Sequence, residues 1–273
     1  MIILIRKKSL YKIVIAVLVM ILIGFMIYIV KNVRCIEDNP ADEVYVAIVV
    51  DDFGNSGDGT KEMLNMDIPL TAAVMPFLEN SEKDAKDAHD KGLEIILHMP
   101  MEPKHGKKSW LGPKGITTNL SSEEIKSRVT QGLEQIKYAK GMNNHMGSKA
   151  MQDERVVKNL LKVAKEKHIY FLDSKTTSKC RAEEICNSLG VNYYTRDIFL
   201  DNSKRKVDIE KQLDKLTEIA LKKGYAIAIG HVGEHGGTVT ARAIKNKYKS
   251  MEKKGIKFVY LSDLRNIILN SHK

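Results

Sequence analysis

The sequence predicts one α/β domain that follows a single apolar helix. Short β-branched runs, which are typical of buried strands, recur along the chain, and amphipathic stretches typical of helices separate them. A length of 273 residues with 43% apolar residues allows a substantial buried core. From residue 44 onward, this alternation fits either an open doubly wound sheet or a (β/α) barrel, and the periodicity leaves both architectures open.

The apolar helix is predicted over residues 13–30, a stretch without a charged side chain. A helix of that length crosses most of a hydrocarbon core about 30 Å thick. No small-residue cleavage pattern follows it, which favours an uncleaved membrane anchor over a signal peptide. More basic residues precede the segment than follow it, so we expect residues 1–12 in the cytoplasm, a linker over 31–43 and an exported domain over 44–273.

The net charge belongs mostly to this N-terminal part. The chain carries 44 basic and 34 acidic side chains, a formal net charge of +10. Six basic residues and no acidic residue precede Cys35, which leaves 38 basic against 34 acidic groups, or +4, for the remainder. Such a small excess, without interleaved aromatic residues, argues against a nucleic-acid partner.

The elements of the exported domain follow from the periodicity. Six apolar runs are predicted to be strands, at residues 44–50, 70–75, 93–97, 169–173, 225–230 and 256–261. Three amphipathic stretches between them are predicted to be helices. Their predicted capping residues are Ser121 or Ser122 with Glu124, Asp153, and Asp208. Cys180 and Cys186 are compatible with a disulfide in an exported protein and equally with two free thiols.

Polar residues gather where the predicted strands end. In both α/β architectures the functional groups lie at the carboxyl ends of the strands. Each residue alone also has a structural interpretation, since aspartates cap helices and strand-end histidines often lie satisfied in the core. Together they are typical of a hydrolytic metal centre that leaves one position for water. The candidates are Asp51, Asp52, His98 and His231 at the ends of predicted strands, and His145 in the segment that follows the predicted helix over residues 121–140.

Two glycine-rich segments are candidates for ligand-binding loops. The segment 54–61 follows a strand as a phosphate-binding loop does, but Thr60 precedes Lys61, whereas the motif requires the lysine first. The segment 231–238 lacks a lysine. It is interpreted as a loop that presents His231, with His235 as a less definite participant.

Six motifs follow one another along the chain: AIVVDDFGNSG, ILHMPMEP, GMNNHMGS, YFLDSKTT, RDIFLDN and AIGHVGEHGGT. Together they resemble the divergent polysaccharide deacetylases, a branch of the polysaccharide deacetylase superfamily of carbohydrate esterases. The similarity spans residues 44–265, and the resemblance implies a distorted (β/α) barrel of about seven strands with a divalent metal, usually zinc, near the strand tops.

The resemblance also implies roles for single residues. Asp51 corresponds to the general base and His231 to the general acid, while Asp52 and His98 correspond to metal ligands. The superfamily's second metal histidine stands four residues after the first, where this chain has Glu102. The third ligand is therefore either Glu102 or His145, and we favour His145 because imidazole suits zinc.

Supporting roles are assigned less closely. Asp173, together with Arg196 or Asp197, is expected to orient the base or the acid. Trp110, the one tryptophan of the chain, is expected to stack on a sugar ring.

The expected function is that of a membrane-anchored, extracytoplasmic, metal-dependent hydrolase that removes acetyl groups from a cell-surface polysaccharide or peptidoglycan. The sequence does not distinguish N-acetyl from O-acetyl groups. The alternative is a non-catalytic glycan-binding module that retains the barrel, and the missing second histidine favours it. The joint presence of a base, metal ligands and an acid favours the enzyme, because a module that only binds has no need of all three.

Overall fold

The computed structural model describes residues 15–28, 43–106 and 108–270. Residues 15–28 form helix α1, and the rest of the predicted anchor, the residues before it and the linker up to residue 42 lie outside the described residues. Within the described ranges, no helix combines the length and the hydropathy needed to cross a membrane. The chain divides into two compact units, Met1–Glu43 and Val44–Lys273.

The second unit alternates strands and helices, as predicted. Its strands are β1 (Val44–Phe53), β2 (Thr71–Val74), β3 (Glu94–Met101), β4 (Ala139–Met146), β5 (Tyr170–Asp173), β6 (Tyr193–Thr195), β7 (Ile198–Phe199), β8 (Tyr225–His231) and β9 (Ile256–Phe258). Its helices are α2 (Thr60–Leu64), α3 (Ser81–Asp90), α4 (Ser122–Gln135), α5 (Glu154–Glu166), α6 (Ala182–Leu189), α7 (Lys206–Lys223), α8 (Gly237–Glu252) and α9 (Leu264–Asn270).

All the strands join one parallel sheet with the curvature of a half-barrel. Eight strands follow the order β6-β5-β4-β3-β2-β1-β8-β7, and β9 pairs with the start of β1 beside β2. The α/β class is confirmed, while the sheet has more than the seven strands expected. The edge strands β6 and β7 do not pair with each other in the described sheet. The segment between β6 and β7 connects these two edges. The Arg196 amide donates a hydrogen bond to the Asp173 carbonyl of β5, and the Asp197 amide donates one to the Ile227 carbonyl of β8.

Side chains alternate between two apolar layers along each strand. In β1, Val46, Ile48 and Val50 belong to the large cluster that includes residues of helices α2 to α8. Ala47 and Val49 belong to a smaller cluster of strand residues, closed by Leu261 and Leu264 at the start of α9. The smaller cluster therefore fills the concave side of the sheet, and the helices cover the convex side.

The capping predictions are confirmed for two helices. Ser121 and Glu124 form a complete capping box at the start of α4, and the Asp153 carboxylate accepts the Val156 amide at the start of α5. Asp208 does not cap α7, because that helix begins earlier, and its carboxylate pairs instead with the side chains of Arg205 and Ser203.

The two glycine-rich loops pack directly against each other. A Cβ atom on Gly59 would lie 2.1 Å from the backbone carbon of Gly237, and one on Gly57 would lie 2.9 Å from the Cα of Gly233. The Asp58 carboxylate accepts hydrogen bonds from both the amide and the hydroxyl of Thr238. We call this contact between segments 57–59 and 233–238 the glycine clasp. The backbones of the loops after β1 and β8 approach each other so closely here that the positions require glycine, which has no Cβ atom.

The two cysteines of the second unit are free thiols. Burial and the nearby Asp173 carboxylate raise the pKa of Cys180 and of Cys186 to about 12. At neutral pH both side chains are therefore protonated and behave as small apolar groups.

The clasp leads to a stability prediction. Gly59 and Gly92 share the same left-handed backbone, with φ of +81° and +82°, but a Cβ on Gly92 would meet no atom within 4 Å. Gly92→Ala should lower the free energy of unfolding by about 1 kcal/mol through backbone strain alone. Gly59→Ala should cost about 2 kcal/mol more, because the loops must also separate. Urea unfolding of both variants measures the difference, and equal losses would mean that the clasp contributes nothing to stability.

Candidate functional site

The alternation of side chains carries polar residues onto the concave side at the carboxyl ends of the strands. Asp51 stands two residues after Val49 in β1, and His231 stands two after Ile229 in β8. His98 likewise stands two after Ile96 in β3. The neighbouring strand β4 contributes side chains to the same site, as their contacts below establish. The apolar interior of the sheet thus ends in a polar layer, whose members come from four strands.

Asp52 reaches this layer by breaking the alternation. Next to Asp51 in a regular strand, its side chain would point to the helix layer. Its φ of 70° is left-handed, and the register between β1 and β2 shifts between Val50 and Phe53. A bulge with a residue in this conformation redirects a side chain. The buried carboxylate of Asp84 holds the following turn by accepting the Gly54 amide.

Three potential metal ligands converge beside the concave polar layer. Asp52 Oδ1 lies 3.2 Å from His98 Nε2 and 3.0 Å from His145 Nδ1, and the two histidine nitrogens lie 3.1 Å apart. Asp52 Oδ1 is buried and has no hydrogen-bond partner. Ligands about 2.1 Å from one tetrahedral ion stand about 3.4 Å apart, so the three atoms have close to the required separation. One carboxylate with two imidazoles is also a donor set suited to zinc.

Asn143 sets the orientation of His98. The amide nitrogen of Asn143 donates to Asp51 Oδ1 at 2.8 Å, and its oxygen lies 2.7 Å from His98 Nδ1. The Nδ1 proton of His98 therefore donates to Asn143, and the lone pair of Nε2 faces the other two ligands. Metal-binding histidines usually have such a partner on the second ring nitrogen. The same amide joins the Asp51 carboxylate to the ligand group.

Asp201 performs the equivalent role for His231. Its carboxylate is fully buried, lies 2.7 Å from His231 Nδ1, and accepts hydrogen bonds from the His231 amide and the Thr240 hydroxyl. Burial disfavours a charged His231, but the hydrogen bond and the charge of Asp201 outweigh it and raise the pKa of His231 to about 9. His231 is therefore protonated at neutral pH, with Nε2 as its remaining proton donor.

The two adjacent aspartates have opposite pKa shifts. Burial raises the pKa of Asp51, although the charges of His98 and His231 oppose the shift. Burial also disfavours a charged Asp52, but its interactions with His145 and His98 outweigh that effect and hold its pKa well below the usual range. Asp52 thus stays ionised, as a metal ligand must, while Asp51 has increased affinity for a proton.

Glu102 lies apart from the ligand group. One of its carboxylate oxygens accepts the Thr118 amide and hydroxyl, and the other accepts Lys149 Nζ at 2.7 Å. Its backbone carbonyl accepts the amides of Lys149 and Ala150. Of the two residues considered as the third ligand, the structure brings His145 to the centre and uses Glu102 to join two loops.

The expected supporting residues make structural contacts instead. Asp173 stands two residues after Phe171 and therefore points, like Phe171, toward the helix layer. Its carboxylate accepts hydrogen bonds from the Lys175 amide and the Tyr193 hydroxyl. Asp197 binds Lys223 and accepts the Ile227 amide, four residues before the end of β8. Neither carboxylate contacts Asp51 or His231 in the described contacts.

Arg196 and Trp110 lie at other positions around the site. Arg196 donates from Nε to the Ser174 carbonyl, and its guanidinium lies 3.6 Å above the centre of the Phe199 ring, which in turn packs against His231. It therefore supports Phe199, which packs against His231, and donates no hydrogen bond to Asp51 in the described contacts. Trp110 lies in a short 3₁₀ turn and is 54% exposed. Its role in sugar binding stays a prediction.

Sequence reasoning missed Asn143 and Asp201 as individual site residues. Asn143 belongs to β4, whose polar sequence gives no apolar run and was not predicted to be a strand. Asp201 comes just after β7, a strand of only two residues. The signal available for Asp201 was its position two residues after Phe199 at a strand end, the same rule that identified Asp51 and His231.

The pKa of His231 provides a test of this geometry. In Asp201→Asn, the carboxylate charge is lost, and the pKa of His231 should fall from about 9 toward its ordinary value near 6.5. Thr240→Val removes one donor to Asp201 but retains the charge, so the pKa should stay high. NMR titration of the imidazole signals measures both. An unchanged pKa in Asp201→Asn would mean that Asp201 does not hold the proton on His231.

Comparison with known proteins agrees with the fold. A family model described as divergent polysaccharide deacetylase matches residues 48–265. The protein YibQ of Escherichia coli K12 is 33% identical over 194 residues, which cover 71% of this chain and 60% of that protein. An uncharacterized protein of Haemophilus influenzae Rd is 33% identical over 201 residues, which cover 74% of this chain and 71% of that one. The chain therefore spans less than two thirds of its E. coli relative.

Two solved structures share the fold. An uncharacterized protein of Agrobacterium tumefaciens C58 superposes with a TM-score of 0.72 at 21% identity, covering 81% of this chain and 89% of that one. The Bc1960 peptidoglycan N-acetylglucosamine deacetylase superposes with a TM-score of 0.51 at 14% identity, covering 82% and 89%. Because the family model matches residues 48–265, which make up most of the second unit, this chain belongs to the divergent polysaccharide deacetylase family.

Proposed function

We propose that the protein is a metal-dependent deacetylase that hydrolyses acetyl groups on a cell-surface glycan. The observation that carries the proposal is the convergence of Asp52, His98 and His145 beside a carboxylate of raised pKa and a protonated histidine. A ligand group, a base and an acid are the parts that acyl hydrolysis requires. A binding module has no need of a carboxylate and an imidazole whose pKa values are both raised beside a ligand group.

The metal proposed for the ligand group is zinc. Asp52, His98 and His145 would hold it and leave a position open for water, as catalytic zinc sites do. When bound, the ion would supply Lewis acidity, which activates water and polarises the acetyl carbonyl. Asn143 would keep the Nε2 lone pair of His98 available for the ion by accepting the Nδ1 proton.

The remaining residues would move protons. Asp51, held by Asn143, would accept the proton of the attacking water as its oxygen bonds to the acetyl carbon. His231 would donate its Nε2 proton to the departing amine or alcohol as the carbon–nitrogen or carbon–oxygen bond breaks, with Asp201 stabilising the imidazolium beforehand. The products are acetate and the free amine or hydroxyl, and proton exchange with solvent restores both residues.

The substrate and the location are parts of the same proposal. Membership in the family and a fold shared with a peptidoglycan N-acetylglucosamine deacetylase support a glycan substrate. The charge-free stretch at 13–30, with its excess of preceding basic residues, supports an anchored protein whose catalytic unit lies outside the membrane. An acetylated polysaccharide or peptidoglycan is the substrate that such a protein would meet.

Metal content tests the ligand assignment. Purified full-length protein should bind about one zinc ion, and Asp52→Ala, His98→Ala and His145→Ala should each lose most of it, because two protein ligands seldom retain zinc. Glu102→Ala is the matched control, since it removes a nearby carboxylate engaged with Lys149 and Thr118. It should retain the metal. Elemental analysis gives the stoichiometry, and circular dichroism checks that each variant is folded.

Two outcomes would contradict the assignment. Full zinc content in Asp52→Ala would exclude that carboxylate as a ligand, and metal loss in Glu102→Ala alone would move the site to the other candidate. A wild-type protein that binds no divalent ion after zinc is added would instead favour the glycan-binding module.

Catalysis should depend on His231 separately from metal binding. His231→Ala should retain zinc and lower kcat for acetate release by about a hundredfold to ten-thousandfold, the usual contribution of general acid–base help. In the wild type, kcat should decrease as the pH rises through about 9, because only protonated His231 donates. Acetate release from an N-acetylated oligosaccharide measures both. A variant with wild-type kcat would exclude His231 as the acid.

A further inference from the structure

A row of stacked planar side chains runs from Arg196 through Phe199 and His231 to His235. The Arg196 guanidinium lies over Phe199, the Phe199 ring lies 5.5 Å from the His231 ring, and His231 stacks on His235 at 4.5 Å with an angle of 28°. His231 is mostly covered, with 15% of its side chain exposed, whereas His235 is exposed. The exposed His235 ring therefore covers one face of the His231 ring.

The His235 imidazole is free to bind such a ligand. Neither of its ring nitrogens has a hydrogen-bond partner among the described residues. Partial burial and the charge of His231 lower the pKa of His235, so it is neutral at pH 7. A neutral imidazole offers one donor and one acceptor, which matches hydroxyl groups.

The backbone holds His235 in this position. The flanking Gly233 and Gly236 both have positive φ, and the Gly233 amide donates to the Asp58 carbonyl at 2.8 Å. Lys204 Nζ donates to the Glu234 carbonyl at 2.5 Å. The turn is thus fixed by the glycine clasp on one side and by Lys204 on the other, so the ring is already in place before a ligand arrives.

The surroundings limit the chemistry of the ligand. The carboxylates of Asp51, Asp52 and Asp201 act on His231 or His235 through space. They disfavour an anion at this position. Near-parallel stacking sets the edges of the two imidazole rings side by side, so their N–H groups do not point at each other and direct proton transfer between them is not favoured.

We propose that His235 is a substrate-binding residue whose imidazole contacts hydroxyl groups of the sugar that carries the acetyl group. The inference rests on the proposed function, because it places the leaving sugar beside His231. The exposed edge of the site around His235 would therefore bind a neutral ligand with several hydroxyl groups. The acetyl group itself would lie deeper, at the ligand group.

Two probes separate sugar binding from chemistry. Tri-N-acetylchitotriose carries the sugar, and 4-nitrophenyl acetate has an acetyl group without one. In full-length His235→Ala, the ratio of kcat/KM for the first probe to that for the second should fall about tenfold, the value of one or two neutral hydrogen bonds. His235→Asn restores a donor and an acceptor and should recover part of the ratio, whereas His235→Phe keeps only the stacking and should not.

His89→Ala is the matched control. His89 is another stacked histidine, packed on Tyr138 at 3.9 Å, and it lies on α3 rather than in the site. Its loss should leave the ratio unchanged. An equal decrease for both probes in His235→Ala would overturn the proposal, because it would mean that the ring only supports His231.

Binding distinguishes this proposal from the proposed function. If wild-type protein hydrolyses neither probe, the enzymatic proposal fails, and calorimetry with tri-N-acetylchitotriose decides the role of His235. Weaker binding by His235→Ala than by His89→Ala would support the contact. Equal binding by the two variants, or no binding by the wild type, would overturn it.

Discussion

The site depends on one backbone constraint, the left-handed conformation of Asp52. Successive side chains of a strand point to opposite faces, so two adjacent aspartates cannot serve one site from a regular strand. The φ of 70° at Asp52 and the register shift that accompanies it bring both carboxylates to the same end of the sheet. Such strain persists only where the surrounding structure determines it. Here the Val232 amide binds the Asp51 carbonyl, and the Met75 amide binds the Phe53 carbonyl.

The same constraint separates the chemistry of the two carboxylates. Asp51 remains in the strand and is almost completely buried, where desolvation favours its protonated form. Asp52 turns toward two imidazoles and stays ionised. His231 is protonated because the buried carboxylate of Asp201 lies next to it and raises its pKa. Neighbouring groups of the same chemical type therefore differ in proton affinity because of their positions, and this difference permits one of them to accept a proton while another holds a cation.

Much of the fold could be predicted from apolar periodicity, because the buried strands β1, β3, β5 and β8 read as continuous apolar runs. Strand β4 could not, since its inward side chains are the polar residues of the site itself. Four site candidates, Asp51, Asp52, His98 and His231, followed from the rule that function gathers at strand ends, while His145 came from the polar segment after a predicted helix. The rule did not place Asp173 correctly, because it identifies the end of a strand but not the sheet face to which a side chain points. The Asp173 side chain points toward the helix layer.

The glycine clasp also has a consequence for the order in which the parts of the site come together during folding. It joins segment 57–59 to segment 233–238, so the first and last quarters of the second unit must meet before the loops after β1 and β8 take up their final positions. Contacts between residues so distant in sequence form late and slowly in folding. During synthesis from the N-terminus, Asp51 and Asp52 would therefore be made long before His231, while His98 and His145, the partners of Asp52, would be made in between. The complete arrangement of Asp51 beside His231 would form only once the loop after β8 has closed onto the loop after β1.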